Sequence, residues 1–304
     1  MEKVVVLMSA YNGEKYIKEQ IESILNQQGV EIYLIIRDDG STDQTKLVLS
    51  EYKNNDDVRL IFGHNIGWKK SFFSLLETIS LEDKAFYAFA DQDDIWLPNK
   101  LNVAVKQIKR ESPSLYYSNI TIINNQKEVL GSIYTDEFVP SMKMPQSFFD
   151  GDGVGATVVF NSKLLSILKK YKVKQATGHD AYLIALCHFF GTVVYDCESY
   201  IMYRRHGNNV TGFGKSSKKS SPNLFMRYKK YKKGPKKVFS IRAQEILAGY
   251  QNELSQENIY MLQLVANYQS SNMAKFRAVL SPRLKATGLR RNIQLRYRLL
   301  FNTL

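Results

Sequence analysis

The chain has little cysteine: Cys187 and Cys197 are its two thiols. That is too few for a disulfide scaffold, and their spacing does not suit a metal site, so reduced thiols in a cytosolic protein are the expectation. Cys187 follows the apolar run Ala181 to Leu186 and reads as a small core residue. No apolar stretch reaches the roughly 18 uninterrupted residues of a membrane-spanning helix. The first apolar run, Val4 to Met8, directly follows Met1-Glu2-Lys3 and is too short for a signal-peptide core with a cleavage site. No G-x-G-x-x-G follows that run, which argues against a dinucleotide-dependent oxidoreductase. Acidic residues are scarce at the carboxyl end. Beyond Lys218 only Glu245, Glu253 and Glu257 face a long series of lysines and arginines, and the net charge of +13 resides there.

What is present suits a packed α/β protein. In 304 residues, 44% are hydrophobic and 12% aromatic, ample for a large core. Val4 to Met8, Ile32 to Ile36, Val58 to Phe62 and Phe86 to Ala90 read as buried strands, with helical spacing between them at Glu14–Gln27, around Leu47–Tyr52 and at Phe72–Ile79. This alternation predicts a Rossmann-like, mostly parallel central sheet flanked by helices. Ligands of such sheets bind beyond the carboxyl ends of the strands. Further strands are predicted at Ser114–Ile123, Thr157–Phe160 and Thr192–Tyr195, helices at Leu164–Tyr171 and from Gly178, and a polar connection at Lys127–Ser147. A glycine- and serine-rich boundary near Gly212–Pro222 divides residues 1–213 from a basic, mainly helical region at 214–304.

The most informative stretch is Phe86 to Pro98. An apolar strand ends in Asp91, Asp93 and Asp94, three carboxylates that repel one another unless a cation or strong donors meet them. Mg²⁺ and Mn²⁺ favour such oxygens, and Mg²⁺ is often held by one or two carboxylates plus substrate phosphates. An acidic surface turn is the bland alternative, and the wholly apolar strand before it argues for the metal and phosphate site. Residues two apart on a strand share a face, so Asp91 and Asp93 are expected to point together, with Asp94 capping the next helix.

Four segments, Ser9-Ala10-Tyr11-Asn12, Asp38-Asp39-Gly40-Ser41-Thr42-Asp43, Asp91-Gln92-Asp93-Asp94-Ile95-Trp96 and Gly178-His179-Asp180, together resemble family 2 glycosyltransferases of the GT-A fold. With Tyr203-Arg204-Arg205-His206-Gly207-Asn208-Asn209, the chain is most similar to the bacterial rhamnosyltransferase-like members that build surface polysaccharides. The resemblance implies an inverting, metal-dependent transferase that moves a sugar from a nucleotide-sugar to a hydroxyl of a lipid-linked or growing polysaccharide. It implies dTDP-L-rhamnose as first donor, with UDP-galactose and other UDP-hexoses behind it, and Mn²⁺ or Mg²⁺ as cofactor. By the same resemblance Asp180 is the general base, Ala10, Tyr11, Asp39 and Asp91 contact the nucleotide, and Asp93 and His206 hold the metal. Asp43 or the neighbouring hydroxyls can cap, leaving Asp39 free for the nucleotide. His179, Asp152 and Gly155 fall on the sugar or acceptor side, and Arg204 and Arg205 suit phosphate. Lys69 and Lys70 approach the diphosphate or form a solvated face; Trp68 and Trp96 read as core.

A nucleotide-sugar-binding scaffold without turnover is the competing class, and intact Asp39, Asp93 and Asp180 argue against it. The run Tyr228 to Lys233 interleaves tyrosine with lysine and fits a solvated face, a nucleic-acid patch or a membrane patch. The expectation is an anionic membrane surface rather than nucleic acid, with the protein cytoplasmic and peripheral on the inner face of the membrane. A homodimer stays open.

Overall fold

The computed structural model describes residues 1–135, 139–150, 153–175, 177–206 and 237–304. Asp152 and the basic run Tyr228 to Lys233 lie outside them. The chain forms two compact units: Met1–Val139 with Asp152–Lys170 and Gly178–Thr211, and Pro140–Gly151 with Tyr171–Thr177 and Gly212–Leu304.

The first unit begins with β1 (Glu2–Ala10), α1 (Ile17–Leu25), β2 (Val30–Asp38), α2 (Thr45–Ser50), β3 (Val58–Phe62), α3 (Trp68–Thr78) and β4 (Phe86–Ala90). There follow β5 (Ile95–Trp96), α4 (Lys100–Gln107), β6 (Ser114–Ile123) and β7 (Val129–Ser132). After α5 (Gln146–Asp150), which belongs to the second unit, come β8 (Val159–Asn161), α6 (Ser162–Leu168), α7 (His179–Phe190) and β9 (Thr192–Arg204). One sheet runs β3-β2-β1-β4-β8-β6-β9-β5, with β7 paired to β6. The β3-β2-β1-β4 half is parallel, as the alternation of apolar strands with helices predicts. The β6–β9 ladder is parallel too, while β8, β5 and β7 pair antiparallel.

Val4, Val6, Leu7, Leu34, Ile36, Ala88, Phe89 and Ala90 are fully buried, so the strands read as continuous apolar runs because helices cover both sides. On α1, Ile17, Ile21 and Ile24 turn inward at helical spacing. Three details differ from the sequence reading. The connection after Lys127 contains β7, an exposed strand whose turn gave no apolar alternation. Strand β9 continues nine residues past Tyr195, to Arg204, although Asp196, Glu198 and Ser199 interrupt its apolar pattern. β5 is a two-residue strand, too short for periodicity to show.

Asn161 joins three elements at one edge. Its amide donates to the carbonyls of Lys109 (2.8 Å) and Ser112 (2.7 Å), and its oxygen accepts from Ser114 N–H (3.2 Å) and, as the cap of α6, from Leu164 N–H (3.0 Å).

In the second unit, α8 (Val238–Tyr250), α9 (Gln256–Asn267), α10 (Asn272–Leu280) and α11 (Gly288–Leu300) pack with the two borrowed segments. Buried Glu245 on α8 accepts from Lys174 N–H (2.7 Å), Gln175 N–H (3.1 Å) and the Tyr171 hydroxyl (3.2 Å). Asp150 accepts from Thr287 N–H and faces Arg291 at 3.4 Å. Phe148 and Phe149 pack on Phe239.

Asn161→Ala should lower the unfolding free energy by about 2–4 kcal/mol, because several buried backbone groups lose their partner; urea denaturation checks this. A pH effect follows from α7. His188 has a buried Nε2 with no hydrogen-bond partner among the described residues, and burial pushes its pKa down to about 4. Between about pH 6.5 and 4 the unfolded chain therefore binds the extra proton. Stability is retained above 6.5 and falls by roughly 3 kcal/mol as pH drops through this window. His188→Phe should flatten that part of the stability curve in pH-dependent melts.

Candidate active site

At the carboxyl end of the parallel half, three loops are knitted together before any ligand is considered. After β1, Tyr11 and Gln92 exchange hydrogen bonds, Tyr11 N–H to Gln92 Oε1 (2.8 Å) and Gln92 Nε2 to the Tyr11 carbonyl (2.9 Å). Asn12 N–H donates to Ser41 (2.9 Å), Gly13 N–H to Thr45 (2.8 Å), and Thr42 N–H to Asn12 (2.8 Å). Gly13 lies so close to Gln92 that a Cβ would stand 2.3 Å from its Oε1. Ala10 is buried, and its carbonyl accepts from Asp39 N–H (2.7 Å). Tyr11 is 44% exposed.

The Asp38–Asp43 loop separates its carboxylates. Asp38 accepts from Ser41 N–H (3.2 Å). Burial would raise the Asp43 carboxyl, but the Thr45 hydroxyl and N–H and the backbone of Glu14 outweigh it and hold it below its ordinary value. Asp39 is not left free, as the sequence suggested. It is buried, pairs with buried Arg37 (3.1 Å), and accepts from Ile66 N–H (3.1 Å) and Gly67 N–H (2.9 Å). Gly67 has a positive φ of 83°, which turns both N–H groups of this loop onto one carboxylate.

The acids after β4 lie on a turn, not on the strand, so strand alternation does not orient them. They divide by direction. Asp94 is fully buried and accepts from Arg204 N–H (3.0 Å); the helix that follows takes Asn99 as its cap, so Asp94 is not that cap. Burial, then the charges of Asp93 and Asp91, push its pKa well up, and Arg204 offsets part of this. Asp93 faces His206, Oδ2 to Nε2 at 2.7 Å. Asp91 is pushed up to about 7, first by burial, then by the charges of Asp93 and Asp180. The charge of Asp180, at the start of α7, is thus felt at the turn after β4.

His179 explains how α7 comes to that position. Its ring stacks on Phe72 of α3 (3.8 Å between centroids), meets Phe89 of β4 edge-on (4.5 Å) and touches Trp68 (6.1 Å). Neither ring nitrogen has a hydrogen-bond partner among the described residues, and burial pushes its pKa down to about 4. A neutral His179 therefore packs like an aromatic and delivers the next residue to the site. Gly155 faces both: a Cβ there would stand 3.1 Å from His179 Nε2 and 3.2 Å from Asp180 Oδ2. Trp68 is half-buried at this edge rather than plain core, whereas Trp96 is buried under Lys100, whose Nζ lies 3.5 Å over its ring. Burial pushes Lys100 down to about 7, against the pull of Asp94.

Sequence reasoning missed how Arg204 is used. Its buried guanidinium faces inward rather than serving an exposed phosphate: Nε donates to the Asp93 carbonyl (3.0 Å), Nη2 donates to Glu19, and the group lies 4.7 Å over Tyr16. Tyr16 in turn stacks on His206 (5.1 Å). Glu19 also pairs with Lys127. Nothing local marks Glu19 or Tyr16, since their partners lie far along the chain. Among the described residues no three His, Cys, Asp or Glu side chains form a metal-binding group. Asp93 and His206, which are hydrogen-bonded to each other, would offer one oxygen and one nitrogen to a cation whose other positions a ligand and water would have to fill.

A double-mutant cycle of Arg204→Met and Glu19→Gln should give a coupling energy above about 1 kcal/mol in denaturation experiments. A value near zero would mean the pair does not fasten the site.

Comparisons with known proteins bear on the family and the fold. The model of the family "Glycosyl transferase family 2" matches residues 5–162. The dTDP-rhamnosyl transferase RfbG of Shigella flexneri is 28% identical over 252 residues, 78% of this chain and 85% of that protein. The UDP-Glc:alpha-D-GlcNAc-diphosphoundecaprenol beta-1,3-glucosyltransferase WfgD of Escherichia coli is 29% identical over 164 residues, 54% of this chain and 62% of that protein. Among solved structures, S. aureus TarS 1-349 superimposes with a TM-score of 0.56 at 17% identity, covering 98% of this chain and 81% of that one. Its complex with UDP-GlcNAc gives 0.55 at 19%, covering 93% and 77%. The family model spans just over half of the 304 residues, and the fold matches that of the solved glycosyltransferase structures: the chain belongs to glycosyltransferase family 2 and has the GT-A fold.

Proposed function

We propose that the protein is an inverting, metal-dependent glycosyltransferase that moves L-rhamnose from dTDP-L-rhamnose to a hydroxyl of a lipid-linked or growing surface-polysaccharide acceptor. The observation that carries this reading is the convergence of Asp180, from the start of α7, on the acidic turn after β4. A proton acceptor and a diphosphate site must share one cleft for this chemistry, and the charge of Asp180 felt at Asp91, with His179 packed on Phe89 of β4, supports that arrangement. The donor choice is supported by the likeness to RfbG, a dTDP-rhamnosyl transferase, over most of both chains. The lipid-linked acceptor is supported by WfgD, whose name specifies a diphosphoundecaprenol substrate.

Asp180 is the general base. It accepts the proton of the acceptor hydroxyl as that oxygen bonds the anomeric carbon, while the bond to the diphosphate oxygen breaks on the opposite side and the nucleoside diphosphate leaves with its electron pair. The sugar configuration inverts because the displacement is in line. Asp93 and His206 would hold Mg²⁺ or Mn²⁺, which supplies charge balance for the departing diphosphate. Asp91 faces the nucleotide ribose. Tyr11 lines the base side with the backbone of Ala10, and Asp39 acts there through the loop it fastens at Ile66 and Gly67. Gly155, on the sugar or acceptor side, lets the backbone pack closely against His179 and Asp180. Among the described residues no helix is long and apolar enough to cross a membrane; the basic carboxyl-terminal region attaches the protein to the inner, anionic face.

Asp180→Asn should abolish transfer, read as release of nucleoside diphosphate with a lipid-linked acceptor, yet leave donor binding nearly intact; full turnover by that variant would refute the assignment. A thermal-shift screen of dTDP-L-rhamnose, UDP-glucose and UDP-galactose with Mn²⁺ tests donor and metal together. A donor at one hundred times its dissociation constant stabilises by about 2.7 kcal/mol. Stabilisation by dTDP-L-rhamnose that chelation removes is expected. Stabilisation by a UDP-hexose instead would reassign the donor, and an effect indifferent to chelation would remove the metal from the reading.

A further inference from the structure

Two helices of the second unit present apolar side chains to solvent at helical spacing. On α10, Met273, Phe276 and Leu280 are 66%, 63% and 66% exposed. At about 100° per residue they share an arc of about 60°, while Ala278 on the opposite side is fully buried. On α11, Leu289, Ile293 and Leu300 are 79%, 60% and 47% exposed within an arc of about 40°. Single exposed residues such as Leu47 or Leu81 are ordinary on any surface, but apolar stripes on consecutive helices mark an interaction face. The helices are fixed to each other. Arg296 of α11 donates to the carbonyls of Ala278 (3.1 Å), Ser281 (2.8 Å) and Leu284 (2.7 Å) at the end of α10, so the stripes belong to a braced helix pair.

The charge around the stripes selects the occupant. Arg277, Lys285 and Arg290 are exposed beside them. From Leu254 to Leu304 the sequence has one acid, Glu257, and it is paired with Arg283 (2.8 Å). A second copy of the chain would set one cationic rim against another. A nucleic acid would meet the cations and leave the apolar stripes in water, since phosphate contacts dominate such binding. An anionic bilayer satisfies both, taking apolar side chains below its headgroups and cations at its phosphates.

We propose that the stripes on α10 and α11 insert into the interfacial layer of an anionic membrane, with Arg277, Lys285 and Arg290 against the lipid headgroups. The inference rests on the membrane attachment proposed above and is independent of the transfer chemistry. Vesicle co-sedimentation of the full chain tests it, using phosphatidylcholine alone and phosphatidylcholine with phosphatidylglycerol. The wild-type chain should bind the anionic vesicles. Phe276→Ser/Leu280→Ser and Leu289→Ser/Ile293→Ser should each weaken that binding about tenfold or more, with melting curves unchanged. Binding that both variants retain in full, and that salt alone removes, would overturn the insertion while leaving electrostatic attachment standing. No binding by the wild-type chain would overturn insertion and attachment together. A concentration-dependent dimer that the same variants abolish, without vesicle binding, would assign the stripes to a second copy instead.

Discussion

Carboxylates at the end of a buried strand repel one another, and the first unit is built around that repulsion. Asp94 is turned inward onto the Arg204 backbone, so one negative group leaves the cleft. Arg204 then spans the gap between the acidic turn and α1, holding the Asp93 carbonyl on one side and Glu19 on the other. What remains outward is Asp93 against His206, with Asp91 and Asp180 nearby. Asp93 and His206 thus stay partly accessible, while Asp94 is fully buried.

The same economy of acids governs the second unit. Its sequence is overwhelmingly basic, yet Glu245 and Asp150 are buried and gather backbone N–H groups from separate segments. They fasten pieces of chain that a charge count would assign to solvent. Among the described residues, Arg277, Lys285 and Arg290 are exposed cations of this region.

Much of the architecture was legible because the parallel strands are apolar and largely buried, so Val4–Met8, Ile32–Ile36 and Phe86–Ala90 announce themselves without reference to anything distant. The acidic turn was legible for a related reason: acids following such a strand must be explained. The boundary of β9 was not, because its middle carries Asp196, Glu198 and Ser199 at an irregular stretch of the β6 ladder. Asp39 looked available because its partners, Ile66 and Gly67, are backbone donors that leave no side-chain signature. Arg204 was recognised as chemically important but misdirected, since a guanidinium beside a histidine reads as phosphate-binding until Glu19 and Tyr16 are seen beneath it. Such contacts arise from topology and are invisible to any local window.

Strand β9 ends in the residue that spans this gap, and His206 lies two positions beyond it. Side chains alternate along a strand, so a single residue added or lost after the last register shift, near Thr121 and Met202, would rotate Arg204 to the opposite face and carry His206 away from Asp93. The exposed middle of this strand can thus accept changes of residue type, but its terminal stretch is constrained in length as rigidly as a ruler.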